Sequence, residues 1–173
     1  VYTIVLTVVD DDGGSDTAET IVVVYDPSAG FVTGGGWIES PAGAYTPEPT
    51  LTGRSTFGFV SKYNKKTELA EGNTEFQFHA GDLNFHSSSY DWLVVTGSDY
   101  AMFKGAGTIN GDVGPDGEPY KFRIWAGDDD PDTFRIKIWE EDVSGTETVI
   151  YDNVTDQALG SGSIIIHTRT KQK

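Results

Sequence analysis

Tyr120-Lys-Phe-Arg-Ile-Trp-Ala-Gly-Asp-Asp-Asp-Pro-Asp-Thr-Phe-Arg-Ile-Lys-Ile-Trp-Glu140 is two alternating runs around an acidic turn. Strands place successive side chains on opposite faces. With Phe122 and Ile124 turned to a core, Lys121, Arg123 and Trp125 turn outward. On the second run Phe134, Ile136 and Ile138 turn inward, and Arg135, Lys137 and Trp139 turn outward. Gly127 and the Asp/Pro cluster supply the reversal. The stretch therefore predicts a β-hairpin with one apolar and one cationic–aromatic face.

The same grammar extends in both directions. From Phe31 to Thr168 about ten short runs alternate in this way, among them 31–38, 54–63, 74–79, 83–86, 92–96, 100–109, 148–152 and 163–168. Turn signals separate them, such as Ser40-Pro-Ala-Gly43, Asn110-Gly111 and Ser144-Gly145. No window carries a capped 3.6-residue period; 67–71 is read as one helical turn at most. Of 173 residues 21 are Gly and one is Met, a composition of strands and tight turns. The expectation is an all-β chain with a β-sandwich or jelly-roll-like domain of about ten strands.

Before Phe31 the pattern is different. Tyr2, Ile4, Leu6 and Val8 alternate up to Asp10-Asp-Asp-Gly-Gly14, and a second strand ends in Ile21-Val-Val-Val24. This is a second hairpin, over 1–25, too apolar to stand alone. Asp26-Pro-Ser-Ala-Gly30 reads as a linker, 31–168 as the second domain and 169–173 as a tail. The chain opens within a strand, which reads as a piece of something longer.

Charge narrows the functional classes. Twelve Lys+Arg against 27 Asp+Glu give a net charge of −15, unfavourable for binding nucleic acid or anionic lipid. There is no Cys, so disulfides, thiolate nucleophiles and Cys-ligated metals are excluded. No run approaches the ~18 apolar residues of a membrane span. No GxSxG, HExxH or P-loop is present, and the chain is expected not to be an enzyme.

Three clusters stand out. Asp128, Asp129, Asp130 and Asp132 are a candidate Ca²⁺ site, since Ca²⁺ takes six to eight oxygens; the alternative is a solvated turn. Asp10–Asp12 and the loop 112–118 are lesser cases of the same kind. His79, Asp82 and His86 have metal-ligand chemistry, against ordinary polar strand positions. The outer face with Arg123, Trp125, Arg135, Lys137 and Trp139 reads either as a cation–π ladder or as a platform for polysaccharide or an acidic partner. Gly105-Ala-Gly107 fails the nucleotide pattern and reads as close backbone approach.

The string from Tyr2 to Gly14, with the strand Val22–Val24, resembles the last two strands of a polycystic kidney disease (PKD) domain, an Ig-like sandwich. Gly34-Gly-Gly-Trp-Ile38, Gly53-Arg-Ser-Thr-Phe-Gly-Phe59, Phe85-His-Ser87, Gly105–Gly111, Asp132–Trp139 and Val149–Asn153 resemble a β-domain that often follows PKD repeats in bacterial secreted proteins. The resemblance implies an extracellular or cell-surface spacer, adhesion or assembly element. Its hairpin would be completed by neighbouring domains or subunits, with a fibre as one outcome. The alternative is a carbohydrate-binding module appended to a secreted hydrolase, which an exposed aromatic row would favour.

Overall fold

The computed structural model describes residues 1–168; the tail expected at 169–173 lies outside them. The described residues are all-β, in two sheets and twelve strands.

The first sheet is the hairpin of β1 (Tyr2–Val9) and β2 (Ser15–Val22), in unbroken antiparallel register from Tyr2↔Val22 to Val9↔Ser15. The second has ten strands: β3 (Gly30–Ser40), β4 (Gly53–Tyr63), β5 (Ala70–Phe78), β6 (Leu83–Thr96), β7 (Tyr100–Ile109), β8 (Tyr120–Gly127), β9 (Thr133–Glu141), β10 (Glu147–Asp152), β11 (Gln157–Ala158) and β12 (Ser161–Thr168). Strands β3 to β10 pair in sequence order, each with the next. β12 returns to pair with β3, and β11 adds to the β9 edge beyond β10.

This long meander folds over onto itself. Phe57 of β4 lies flat on Phe134 of β9, with ring centroids 3.7 Å apart, although four strands separate β4 from β9 in the sheet. Phe59 meets Phe103 at 5.2 Å and Phe76 meets Tyr151 at 4.7 Å. The two halves thus form a sandwich around one aromatic core. Burying such a side chain contributes about 1.5–3 kcal/mol, offset in large part by chain entropy.

The glycines on inward positions make room for these rings. A Cβ on Gly34 would sit 2.5 Å from the Phe59 ring, and one on Gly107 2.6 Å from the Phe85 ring. At Gly36 it would strike the Ser161 carbonyl of β12. The Gly34–Gly36 run is therefore where β12 and Phe59 approach the β3 backbone.

Two readings of the sequence are corrected. The runs 83–86 and 92–96 are one strand, β6, carrying register shifts between Ser87 and Ser89 and between Tyr90 and Trp92. Each bulge adds one residue and flips the faces. Inward positions pass from Leu83, Phe85 and Ser87 to Tyr90 and back to Leu93. The one helical turn is a 3-10 turn at His79–Gly81, while the stretch 67–71 runs into β5.

The 26–30 segment, read as a linker, holds a local turn. The Ser28 N–H and Oγ–H donate to Asp26 Oδ1 at 2.8 and 2.6 Å, and Gly30 already belongs to β3. Tyr25 stacks on Tyr63 at 5.2 Å.

Candidate functional site

The outer faces of β6 to β10 carry the cationic–aromatic surface. Cross-strand register lines up Trp92, Lys104, Arg123, Lys137 and Asp152 as one rung. The next rung holds Met102, Trp125 and Arg135. A third holds Lys121, Trp139 and Val149. Arg123, Trp125, Arg135, Lys137 and Trp139 thus share one face, and Trp92 and Lys104 join them from strands distant in sequence.

Cations and indoles interleave on this face. The Arg123 guanidinium lies 5.5–5.9 Å from the rings of Trp92, Trp125 and Trp139. Arg135 sits 4.3 Å over Trp125 and Lys137 4.9 Å over Trp139. Each such contact contributes about 0.5–1 kcal/mol at exposed sites. Arg135 also makes a two-pronged pair with Asp152, Nε to Oδ1 at 3.2 Å and Nη2 to Oδ2 at 3.1 Å. Lys137 pairs with Glu147, and Lys104 with Asp91 at 3.9 Å.

Arg123 is the least satisfied member. Its Nε is buried without a hydrogen-bond partner. Burial lowers its pKa, with Glu147 opposing that and Arg135 adding to it. Trp139 is only 1% exposed yet lies outside the aromatic core, with the Lys104, Arg123 and Lys137 heads 4.9–5.8 Å from its ring. Its Nε1–H reaches Glu141 Oε2 at 3.3 Å. The indole therefore has no open face for a sugar ring, and the arrangement has the geometry of a ladder. Trp125, half-buried, is the more open of the two.

The acidic turn has structural partners. The Ile164 N–H donates to Asp132 Oδ2 at 2.8 Å, and the Ile166 N–H to Asp128 Oδ2 at 2.7 Å. These two amides lie on the edge of β12 that faces away from β3, so the turn covers an edge otherwise open to strand addition. Asp129 and Asp130 remain exposed. Among the described residues no three His, Asp or Glu side chains converge as a metal-binding group.

The other clusters are dispersed as well. His86 Nδ1 lies 3.5 Å from Glu75, whereas His79 and Asp82 flank a separate hollow with Gln77 and Asn84. Asp10 accepts from the N–H groups of Asp12 and Gly14 and so closes its own turn.

One residue central to the fold was given no role in the reading of the sequence. Asn153 is 1% exposed. Its Oδ1 accepts from the Ile136 N–H at 2.8 Å. Its Nδ2 is shared among Phe134 O, Thr155 O and Gln157 Oε1. It stands in for the missing strand between β10 and β11.

No family model, no curated protein and no solved structure matches the chain. Among the described residues no helix is long and apolar enough to cross a membrane.

Proposed function

We propose that the chain is a non-catalytic extracellular module of a bacterial secreted or surface protein, serving as spacer and assembly element. The observation that carries this is the open hairpin. One face presents Tyr2, Ile4, Leu6 and Val8 with Ala18 and Val22 across from them, and every residue of both strands is exposed. The sandwich beside it buries its own core. A ribbon with an apolar face and two unpaired edges is half of a sandwich, and its natural complement is more β-strand. The resemblance of residues 2–24 to the end of a PKD domain supports the same reading, with the strands supplied by a neighbouring domain or subunit.

The test introduces a thiol into the chain, which itself has no Cys. Leu6→Cys and Thr7→Cys place it on opposite faces. In the protein as displayed by its host, a photo-crosslinker at position 6 should capture a β-strand of a neighbour, and one at position 7 should not. Equal labelling of both by a water-soluble thiol reagent would overturn the proposal.

A further inference from the structure

The outer faces of β12, β3 and β4 and the turn at 26–30 enclose a hollow of about 470 Å³, within the range of ligand sites. Phe31 and His167, cross-strand partners, stack at 4.1 Å and form one wall. Val60 and Tyr63 also line the hollow, together with Lys62 and Lys65. The Tyr63 side chain is buried in the core, with its hydroxyl occupied by the Leu93 backbone.

The turn wall is preformed. Asp26 holds Ser28 through both its N–H and its hydroxyl. Gly30, at φ +155°, lies where any Cβ would strike the His167 carbonyl, which fixes the chain over the β12–β3 edge.

The charge of this hollow opposes that of the chain. Among its described lining residues are Lys62, Lys65 and His167 and no carboxylate, in a protein of net charge −15. Lys62 leans on Glu71 at 3.4 Å with its side chain half exposed. Lys65 makes no ion pair among the described residues. Across Pro27 and Ser28 a second hollow includes Asp26 and Glu68 and shares Lys65.

We infer that this hollow binds a carboxylate-bearing sugar of the uronic-acid type. The flat aromatic wall and Val60 suit the C–H face of a pyranose ring. The Lys65 ammonium suits a carboxylate, as a flexible point charge, with Lys62 shared with Glu71. A purely apolar ligand would desolvate the Lys65 ammonium without supplying a partner. A long polyanion would meet the negative field of the rest of the molecule; a short or terminal segment meets it within a screening length of about 8 Å. The inference stands independently of the hairpin's role.

The test is an NMR titration of the full chain with a galacturonate trimer, with maltotriose and acetate as comparisons. Galacturonate should shift the amides of Phe31, Val60 and His167, more strongly at low salt. Lys65→Ala should weaken binding about tenfold, the loss of one charge-assisted contact. Lys121→Ala, on the remote outer face, should leave it unchanged. No shift at about 10 mM trimer, a millimolar limit, would overturn the inference. So would equal shifts with maltotriose, or unchanged affinity in Lys65→Ala. Acetate matching the trimer would reduce the hollow to a simple anion pocket and overturn the saccharide assignment.

Discussion

Asn153 shows how one side chain can replace a stretch of ladder. Where β10 ends and β11 has not begun, its amide serves the Ile136 N–H and the Phe134 carbonyl. Asn153→Ala would bury both without partners, at about 1–3 kcal/mol each. Urea denaturation should show a loss of about 2–4 kcal/mol, the partial sum of two such penalties. Asp132 acts in the same way across the seam, so Asp132→Ala should cost about 1–3 kcal/mol, a loss that added calcium does not restore. A Ca²⁺-dependent rescue of the midpoint would contradict the edge-cap role. The tyrosines make a third residue-scale case. Burial raises the phenol pKa of Tyr45, Tyr63, Tyr90, Tyr120 and Tyr151, and pushes Tyr100 up to about 12, with Asp156 adding to it. A raised folded pKa means that the unfolded chain loses its protons first. Stability is therefore complete below the ordinary phenol value of 10.0 and is lost as pH rises from there toward 12. Thermal melts across that window should fall steadily, and a flat profile would show the rings to be more hydrated than their packing implies.

At the scale of elements, strands that keep strict alternation were readable and strands that break it were not. β8 and β9 run without a register shift from Lys121↔Trp139 to Gly127↔Thr133, so the alternation in Tyr120–Glu140 placed every side chain on its face. β6 hides its unity behind Ser87-Ser-Ser-Tyr-Asp91, where two bulges fall among polar residues. Trp92 and Lys104 could not be assigned to the cationic face because that depends on pairing across distant strands. Nor could the acidic turn reveal its role, because the amides it caps lie 32 and 38 residues away. Glycine is the element-level feature most open to experiment. Gly34 and Gly36 face the Phe59 ring and the Ser161 carbonyl, whereas a Cβ on Gly58 meets nothing within 4 Å. Gly34→Ala and Gly36→Ala should each destabilise by about 1–3 kcal/mol, the cost of overpacking. Gly58→Ala should be neutral or stabilise by up to about 1 kcal/mol, through a less flexible unfolded chain. Similar losses at all three positions would contradict the close approach of β12 and Phe59 to β3.

At the scale of the whole molecule, the two sheets differ in how far each satisfies itself. The sandwich buries its rings and caps its β12 edge; the hairpin leaves Tyr2 65% and Leu6 61% exposed. Residues 1–30 hold Asp10, Asp11, Asp12, Asp16, Glu19 and Asp26 and no Lys or Arg, so two such hairpins repel over a screening length of about 8 Å at physiological salt. Under the proposal above, a complementing sheet would therefore be differently charged. The folding behaviour should divide along the same line. Native-state hydrogen exchange on the isolated chain should find the amides of β1 and β2 opening at little free-energy cost, while those of β4, β8 and β9 open only with global unfolding. Leu6→Asp should then shift the unfolding midpoint of the sandwich by less than an equivalent of about 0.5 kcal/mol, as for surface substitutions in general. If a neighbour covers the hairpin as proposed, the same substitution should expose the hairpin amides and release that neighbour. If Leu6→Asp instead lowered the stability of the isolated sandwich by several kcal/mol, the apolar face of the hairpin would belong to its own chain, and the case for an assembly element would be lost.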